Sequence, residues 1–279
     1  TYQRGYYILI LMLESATLGV FMAQDWALFY VLWELVLIPL FFLLDRWGGK
    51  NRQAASLNFV LYTMGGSVFL LLSLLVLFDK TSTHQFTFMA FKEAAADLPA
   101  NEQALLLAGF IIGFGVKLPI FPLHGWLPLA YGQAPTPVSM LLSGILSKMG
   151  AYGLIRASEL LPAGMQLLQP LLISLGVIGI LYGGLLAWRQ TDLKLMVAYS
   201  SFSHMGMVLV GIACLNQVGL TGAMLQIVAH ALTASALFML LGLLKQRTQT
   251  YMLADYGGLA LIVPRFALLT ILALAASIG

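Results

Sequence analysis

Five ionisable side chains of this sequence stand inside apolar runs. Glu34 is the single charge in LFYVLWELVLIPLFFLL. Lys117 stands in LLLAGFIIGFGVKLPIFPLHGWLP, ahead of His124, and Lys148 in VSMLLSGILSKMGAYGLI. His204 lies in VAYSSFSHMGMVLVGIA and His230 in MLQIVAHALTASALFMLLGLL. An ionised group at mid-bilayer costs about 2.5–3.5 kcal/mol even on the mildest insertion scale, so each of these residues needs a partner or water. One acid, two amines and two imidazoles are all groups that gain and lose protons, and imidazole does so near neutrality. Spread over five separate runs, they read as a proton wire. A plainer reading has Glu34 clasping one lysine as a structural ion pair, with each histidine bonded one turn back along its own helix, His204 to Ser200 and His230 to Gln226. That reading suits any one of the five better than it suits the set.

The elements that must position them are membrane helices. Of 279 residues 60% are hydrophobic and 9% charged, and the mean hydropathy is +0.91, more apolar surface than a soluble fold of this size can hide. Runs long enough to cross about 30 Å of hydrocarbon fall near 6–24, 26–44, 57–78, 103–129, 138–157, 165–188, 195–214 and 219–244, with a last run opening near 257. The fold class is therefore all-α, a polytopic bundle forming one membrane domain over 1–279. The segment 79–102 reads as a surface loop with one short helix. Neither end looks like a natural boundary, so the sequence reads as an excerpt of a longer membrane chain, and its first apolar run as a span and not a signal peptide. The net charge of +3 comes from scattered single cations, which argues against a nucleic-acid partner. Cys214, alone in an apolar run, reads as packing.

Prolines single out the Lys117 run. Pro119 has no N–H for the carbonyl of Gly115, and Pro122 repeats the defect one turn on, so the helix is expected to break beside Lys117. Backbone freed at membrane depth survives only against protein or water, and broken helices mark ion sites in transporters. Pro39 is expected to loosen the carbonyl of Leu35 beside Glu34 in the same way. Glu14, in the first run, stays unassigned. Trp26, Trp47, Trp126 and Trp188 fall near run ends and read as interfacial anchors, with Trp33 the exception. A shift of 168 residues lays LNFVLYTMGGSVFLLLSLL (57–75) on LQIVAHALTASALFMLLGL (225–243), pairing Ser67 with Ser235 and Tyr62 with His230, a weak echo of repeated halves. If the echo is real, a second broken helix should begin close to where this sequence stops. With 103–129 counted as one broken span, alternating loops gather Arg4, Arg46, Lys50, Arg52, Arg189, Lys194, Lys245 and Arg247 on one side and Lys80, Lys92 and Arg156 on the other. The first side is expected to be cytoplasmic, or stromal in a thylakoid.

The stretches VLWELVLIPLFFL, GVKLPIFPLHGWLP, APTPVSMLLSGILSKMGAYGLIR, DLKLMVAYSSFSHMGMV and HALTASALFMLLG resemble the antiporter-like proton-pumping subunits of complex I, closest to the NuoM/NdhD type (NADH dehydrogenase subunit 4). WGGKNRQAA and IGILYGGLLAW look like its cyanobacterial and chloroplast branch. The resemblance implies a fourteen-helix module with two inverted repeats, of which this chain holds helices four to the start of twelve. It also implies that Glu34 is the pairing glutamate, Lys117 the pumping lysine, Lys148 the relay lysine, and His204 and His230 the relay histidines. Electron-transfer cofactors, iron–sulfur clusters and quinone, are then expected in partner membrane and soluble subunits, since this sequence shows no Cys cluster, Gly-rich phosphate loop or haem motif of its own. One departure stands out: where the family commonly has Asp, His and Glu after the broken helix, this chain has Leu129, Tyr131 and Gln133. That loss of three titratable groups at the membrane edge points to a specialised paralogue, such as the carbon dioxide uptake variant. Two other readings stay open, a Mrp-type Na⁺/H⁺ antiporter subunit and a non-pumping scaffold that docks a soluble partner.

Overall fold

The computed structural model describes residues 2–278. In chain order the helices are α1 (Tyr2–Met22), α2 (Trp26–Leu35), α3 (Leu37–Trp47), α4 (Arg52–Lys80), α5 (Phe88–Ala96), α6 (Ala100–Lys117), α7 (Leu127–Gln133), α8 (Thr136–Leu141), α9 (Ser147–Leu160), α10 (Pro162–Trp188), α11 (Leu193–Ala213), α12 (Gln217–Thr248), α13 (Leu259–Ile262) and α14 (Pro264–Ile278). A π-helical turn, Leu142–Leu146, joins α8 to α9, and a 3-10 turn covers Leu253–Asp255. Among the described residues, seven helical stretches are long and apolar enough to cross a membrane. Their starts are written in the sequence: Asp25, Asp192 and Asn216 each turn a side-chain oxygen onto a free first-turn N–H, the last two onto Leu195 at 3.0 Å and Gly219 at 2.8 Å.

Connections between neighbouring loops define two ends of the bundle. At one end Tyr2 donates to the Arg46 carbonyl, Gly49 N–H donates to the Gln133 carbonyl at 2.8 Å, and Leu193 N–H donates to the Tyr251 carbonyl at 2.9 Å. At the other, Trp26 N–H donates to the Phe86 carbonyl and the Gln169 amide to the Ala213 carbonyl. The cations expected on one side do cluster at the first end, and Lys80, Lys92 and Arg156 at the second. Lys194 differs from its loop reading: it is 4% exposed, with its ammonium on the Gly132 and Ala134 carbonyls at the end of α7, where a cation caps the helix. With the ends fixed, α4 and α12 run in opposite directions, as an inverted repeat requires. Each lies against the helix the echo requires, α4 against α6 and α12 against α14.

Leu61, Leu105 and Leu181 are more than 60% exposed, as lipid-facing side chains are, while the tightest packing is aromatic and internal. Trp26 and Trp126 lie there too and are not anchors. Trp26 is wedged among Phe29, Phe88 and Phe110, and Trp126 packs on Phe59 and Tyr131. Their positions near run ends in sequence misled because α5 covers Trp26 with Phe88 and Phe91, and the stretch after α6 folds Trp126 back so that its indole donates to the Val116 carbonyl. Trp188, 82% exposed at the end of α10, suits the anchor role.

Candidate functional site

Both breaks expected from proline are present. The helical hydrogen-bond pattern loosens at Val36, between α2 and α3, where the backbone itself stays helical (φ −59°, ψ −28°) and the Val36 N–H reaches the Leu32 carbonyl at 3.3 Å, so Trp33 and Glu34 occupy the last turn of α2. Lys117 uses this. It is fully buried, its ammonium donates to the Trp33 carbonyl at 2.8 Å, and it lies 3.6 Å from the centroid of the Trp33 ring. The Trp33 indole N–H is held by Ser67 Oγ at 3.1 Å. The expected Glu34–lysine ion pair is not closed: among the described residues the ion pairs are Lys80–Glu102 and Arg156–Glu159. Glu34 Oε1 is buried without a hydrogen-bond partner. The ammonium has taken the neighbouring carbonyl and ring in place of the carboxylate.

Helix α6 ends at Lys117, as Pro119 requires, but its freed carbonyls do not open a gap. Gly115 was expected to lack a partner, yet its carbonyl accepts from Ile120 N–H at 2.7 Å, and the Val116 carbonyl accepts from the Trp126 indole at 2.8 Å. A non-helical stretch, in which the Phe121–Pro122 peptide bond is cis, then leads to α7. Helix α9 lies directly on the break: a Cβ at Gly150 would stand 2.6 Å from the Phe114 carbonyl oxygen and 2.7 Å from Leu118 N. His124 is stacked 4.2 Å from Phe202 and belongs to this aromatic packing.

The second group forms around Lys148, 4% exposed. Its ammonium meets the Ser143 carbonyl at 2.5 Å, Ser147 Oγ at 3.3 Å and His230 Nδ1 at 2.6 Å. The His230 and His204 rings follow at 5.3 Å between centroids, and His204 Nδ1 meets the Gln226 amide at 3.1 Å. Gln226 therefore serves His204 across the helix interface, and not His230 one turn on. Three helices thus bring Lys148, His230 and His204 into one file. No hydrogen bond joins this file to Lys117 among the described residues.

Sequence reasoning missed the π-helical turn. Tyr131, 1% exposed, donates to the Leu142 carbonyl at 3.0 Å, so two successive carbonyls of that turn, Leu142 and Ser143, take side-chain donors. Ser143 Oγ also meets Ser201 Oγ at 3.1 Å. The reading that put position 131 at the membrane edge is corrected: the tyrosine is inside, beside the lysine's carbonyl. Gln133 does sit at the end of the bundle, its side chain accepting from Asn51 N–H at 3.0 Å. Nothing in SGIL except Gly144 hints at a π turn.

Residues 23–279 match the family described as NADH:quinone oxidoreductase/Mrp antiporter, TM. The chain belongs to this antiporter family. NAD(P)H-quinone oxidoreductase chain 4 3 of Picosynechococcus sp. is 48% identical over 98% of this chain and 50% of its own length, and NAD(P)H-quinone oxidoreductase chain 4-3 of Nostoc sp. is 48% identical over 96% and 48%. The chain thus spans about half the length of the curated relatives it matches. Among solved structures, respiratory complex I from Thermus thermophilus contains a chain with a TM-score of 0.92 and 32% identity, over 98% of this chain and 58% of that one. The Mrp complex from Dietzia sp. gives 0.81 and 28%, over 88% and 27%. The inverted α4 and α12 and the break beside Lys117 are accordingly features of an antiporter-family bundle.

Proposed function

We propose that the protein carrying this chain is a proton-translocating membrane subunit of an NAD(P)H- or ferredoxin-linked quinone oxidoreductase of the complex I type. The observation that carries this reading is the file Lys148–His230–His204, closed at 2.6 Å at its first step, with a second buried ammonium at the helix break. The Glu34 carboxylate gates this group: close to the Lys117 ammonium it keeps the proton bound, and as it withdraws the proton leaves. Lys148 first passes one of its protons to His230 Nδ1, and His230 releases the proton on its other nitrogen toward His204. The neutral Lys148 amine is then the acceptor for the Lys117 proton, reached through water. The chain's own residues hold and move protons; redox chemistry belongs to partner subunits bearing iron–sulfur clusters and quinone, and this chain binds neither.

The assembly sits in a bacterial inner membrane or a thylakoid, with the cation-rich end facing cytoplasm or stroma. The sodium-exchanging alternative fits less well. Sodium prefers a cage of carboxylates and carbonyls, whereas the groups gathered here, apart from Glu34, are the Lys117 and Lys148 ammoniums and the His204 and His230 imidazoles. A pure scaffold has no use for them. The test is Lys117→Ala in the full-length protein within its assembled complex. Protons moved per electron should fall sharply while electron transfer persists; an unchanged ratio would refute the relay.

A further inference from the structure

The end of the bundle poor in cations has Lys80, Lys92 and Arg156, and two of the three converge on one cavity. It measures about 290 Å³ and is lined by Trp26, Phe88, Met89, Lys92, Arg156, Glu159 and Leu160. It lies between the start of α2, the end of α9 and the short surface helix α5, whose approach is fixed by Trp26 N–H on the Phe86 carbonyl and by Thr87 capping Ala90 N–H. Arg156 is held in place: its Nε donates to Tyr152 Oη at 3.1 Å, and its guanidinium carbon stands 4.9 Å from the Phe88 centroid and 5.5 Å from that of Tyr152. Its one acidic contact, Glu159 at 3.6 Å, is loose, and that side chain is 58% exposed and free to turn to solvent. Trp26, a wall of the cavity, is 2% exposed.

We infer that this cavity is a site for the headgroup of an anionic membrane lipid. Two cations against one carboxylate leave a net positive charge. A preset guanidinium over aromatic faces suits a phosphodiester or sulfonate, which it can grip with two parallel donors. The depth is right as well, since α5 lies at the surface end of the helices and Met89, 66% exposed at the cavity rim, offers an apolar path for an acyl chain. None of these residues belongs to the proposed proton path, so the site stands whether or not the relay does.

The test uses the full-length protein in its complex, purified and placed in nanodiscs of phosphatidylcholine with or without phosphatidylglycerol. Retained phosphatidylglycerol is counted by native mass spectrometry, and amide exchange over Phe88–Ala96 is followed. Phosphatidylglycerol should slow exchange in α5. Removing one surface cation, with Lys92→Gln, should weaken its retention about fivefold, and Lys92→Arg should restore it. Arg156→Gln should weaken it at least as much; if that variant does not assemble, Lys92→Gln alone decides. Equal retention in wild type and Lys92→Gln would overturn the site. So would equal protection of α5 by inorganic phosphate in pure phosphatidylcholine, which would make it a site for free anions.

Discussion

The Lys148 ammonium has three protons and three acceptors: a carbonyl, a hydroxyl and an imidazole nitrogen. Replacing it with methionine keeps the bulk but leaves His230 Nδ1 without its donor, at about 1–3 kcal/mol for a buried orphan, while the Ser143 carbonyl keeps Ser147 Oγ at 3.3 Å. Lys148→Met in the assembled complex should therefore both lower the unfolding temperature and abolish proton transfer. Lys148→Arg, which keeps the donors but cannot give up a proton, should recover stability without pumping. If Lys148→Arg pumps normally, the lysine is structural. Glu34 makes the opposite case. Its Oε1 is already without a hydrogen bond, so Glu34→Gln removes charge at little structural expense. Proton output should fall at least about tenfold while thermal stability holds, as measured by pH-dye uptake and scanning calorimetry on the same vesicles.

At the level of elements, the spacing of the two lysines depends on how closely α9 approaches the end of α6, and Gly150 sets that distance. A methyl group there would press on backbone, which cannot turn aside as a side chain can, so Gly150→Ala should cost about 1–3 kcal/mol and uncouple Lys117 from Lys148, lowering pumping without touching either amine. Tyr131→Phe tests the π-helical turn: the Leu142 carbonyl loses its 3.0 Å donor. Loss of proton output with the helix content unchanged would mark Tyr131 as a positioning residue. These two elements also show what the sequence could and could not say. Proline chemistry is local, so the interruptions at Val36 and after Lys117 were legible from Pro39 and Pro119. The hydropathy runs likewise marked all seven helices long enough to span, because lipid demands about twenty apolar residues whatever the packing; the run 103–129 is instead divided between α6 and the stretch after it, and the run opening near 257 holds the shorter α14. The partners of the freed groups were not legible, because they come from distant residues: Trp126 reaches Val116, Trp33 takes Lys117, and Gln226 crosses to His204. The five ionisable residues could be chosen from the sequence by their cost in lipid, but their grouping into a closed file of three and a separate lysine depends on packing between helices.

For the whole molecule the distribution of charge has a direction. Helices α4 and α12 cross in opposite senses, and the loops they join sort Arg46, Lys50, Arg52, Arg189, Lys245 and Arg247 to one end, Lys80 and Lys92 to the other. Positive residues resist transfer across the membrane during insertion, so the crowded end should remain on the side of synthesis. Single cysteines at the exposed positions 50 and 92, in a Cys214→Ser background, put this to the test with a membrane-impermeant maleimide on sealed vesicles of each orientation. Lys50→Cys should label only from the cytoplasmic or stromal face and Lys92→Cys only from the opposite one. Labelling of both positions from one face would contradict the alternation of the spans themselves, whereas a clean reversal would leave the bundle intact and invert only the direction assigned to transport.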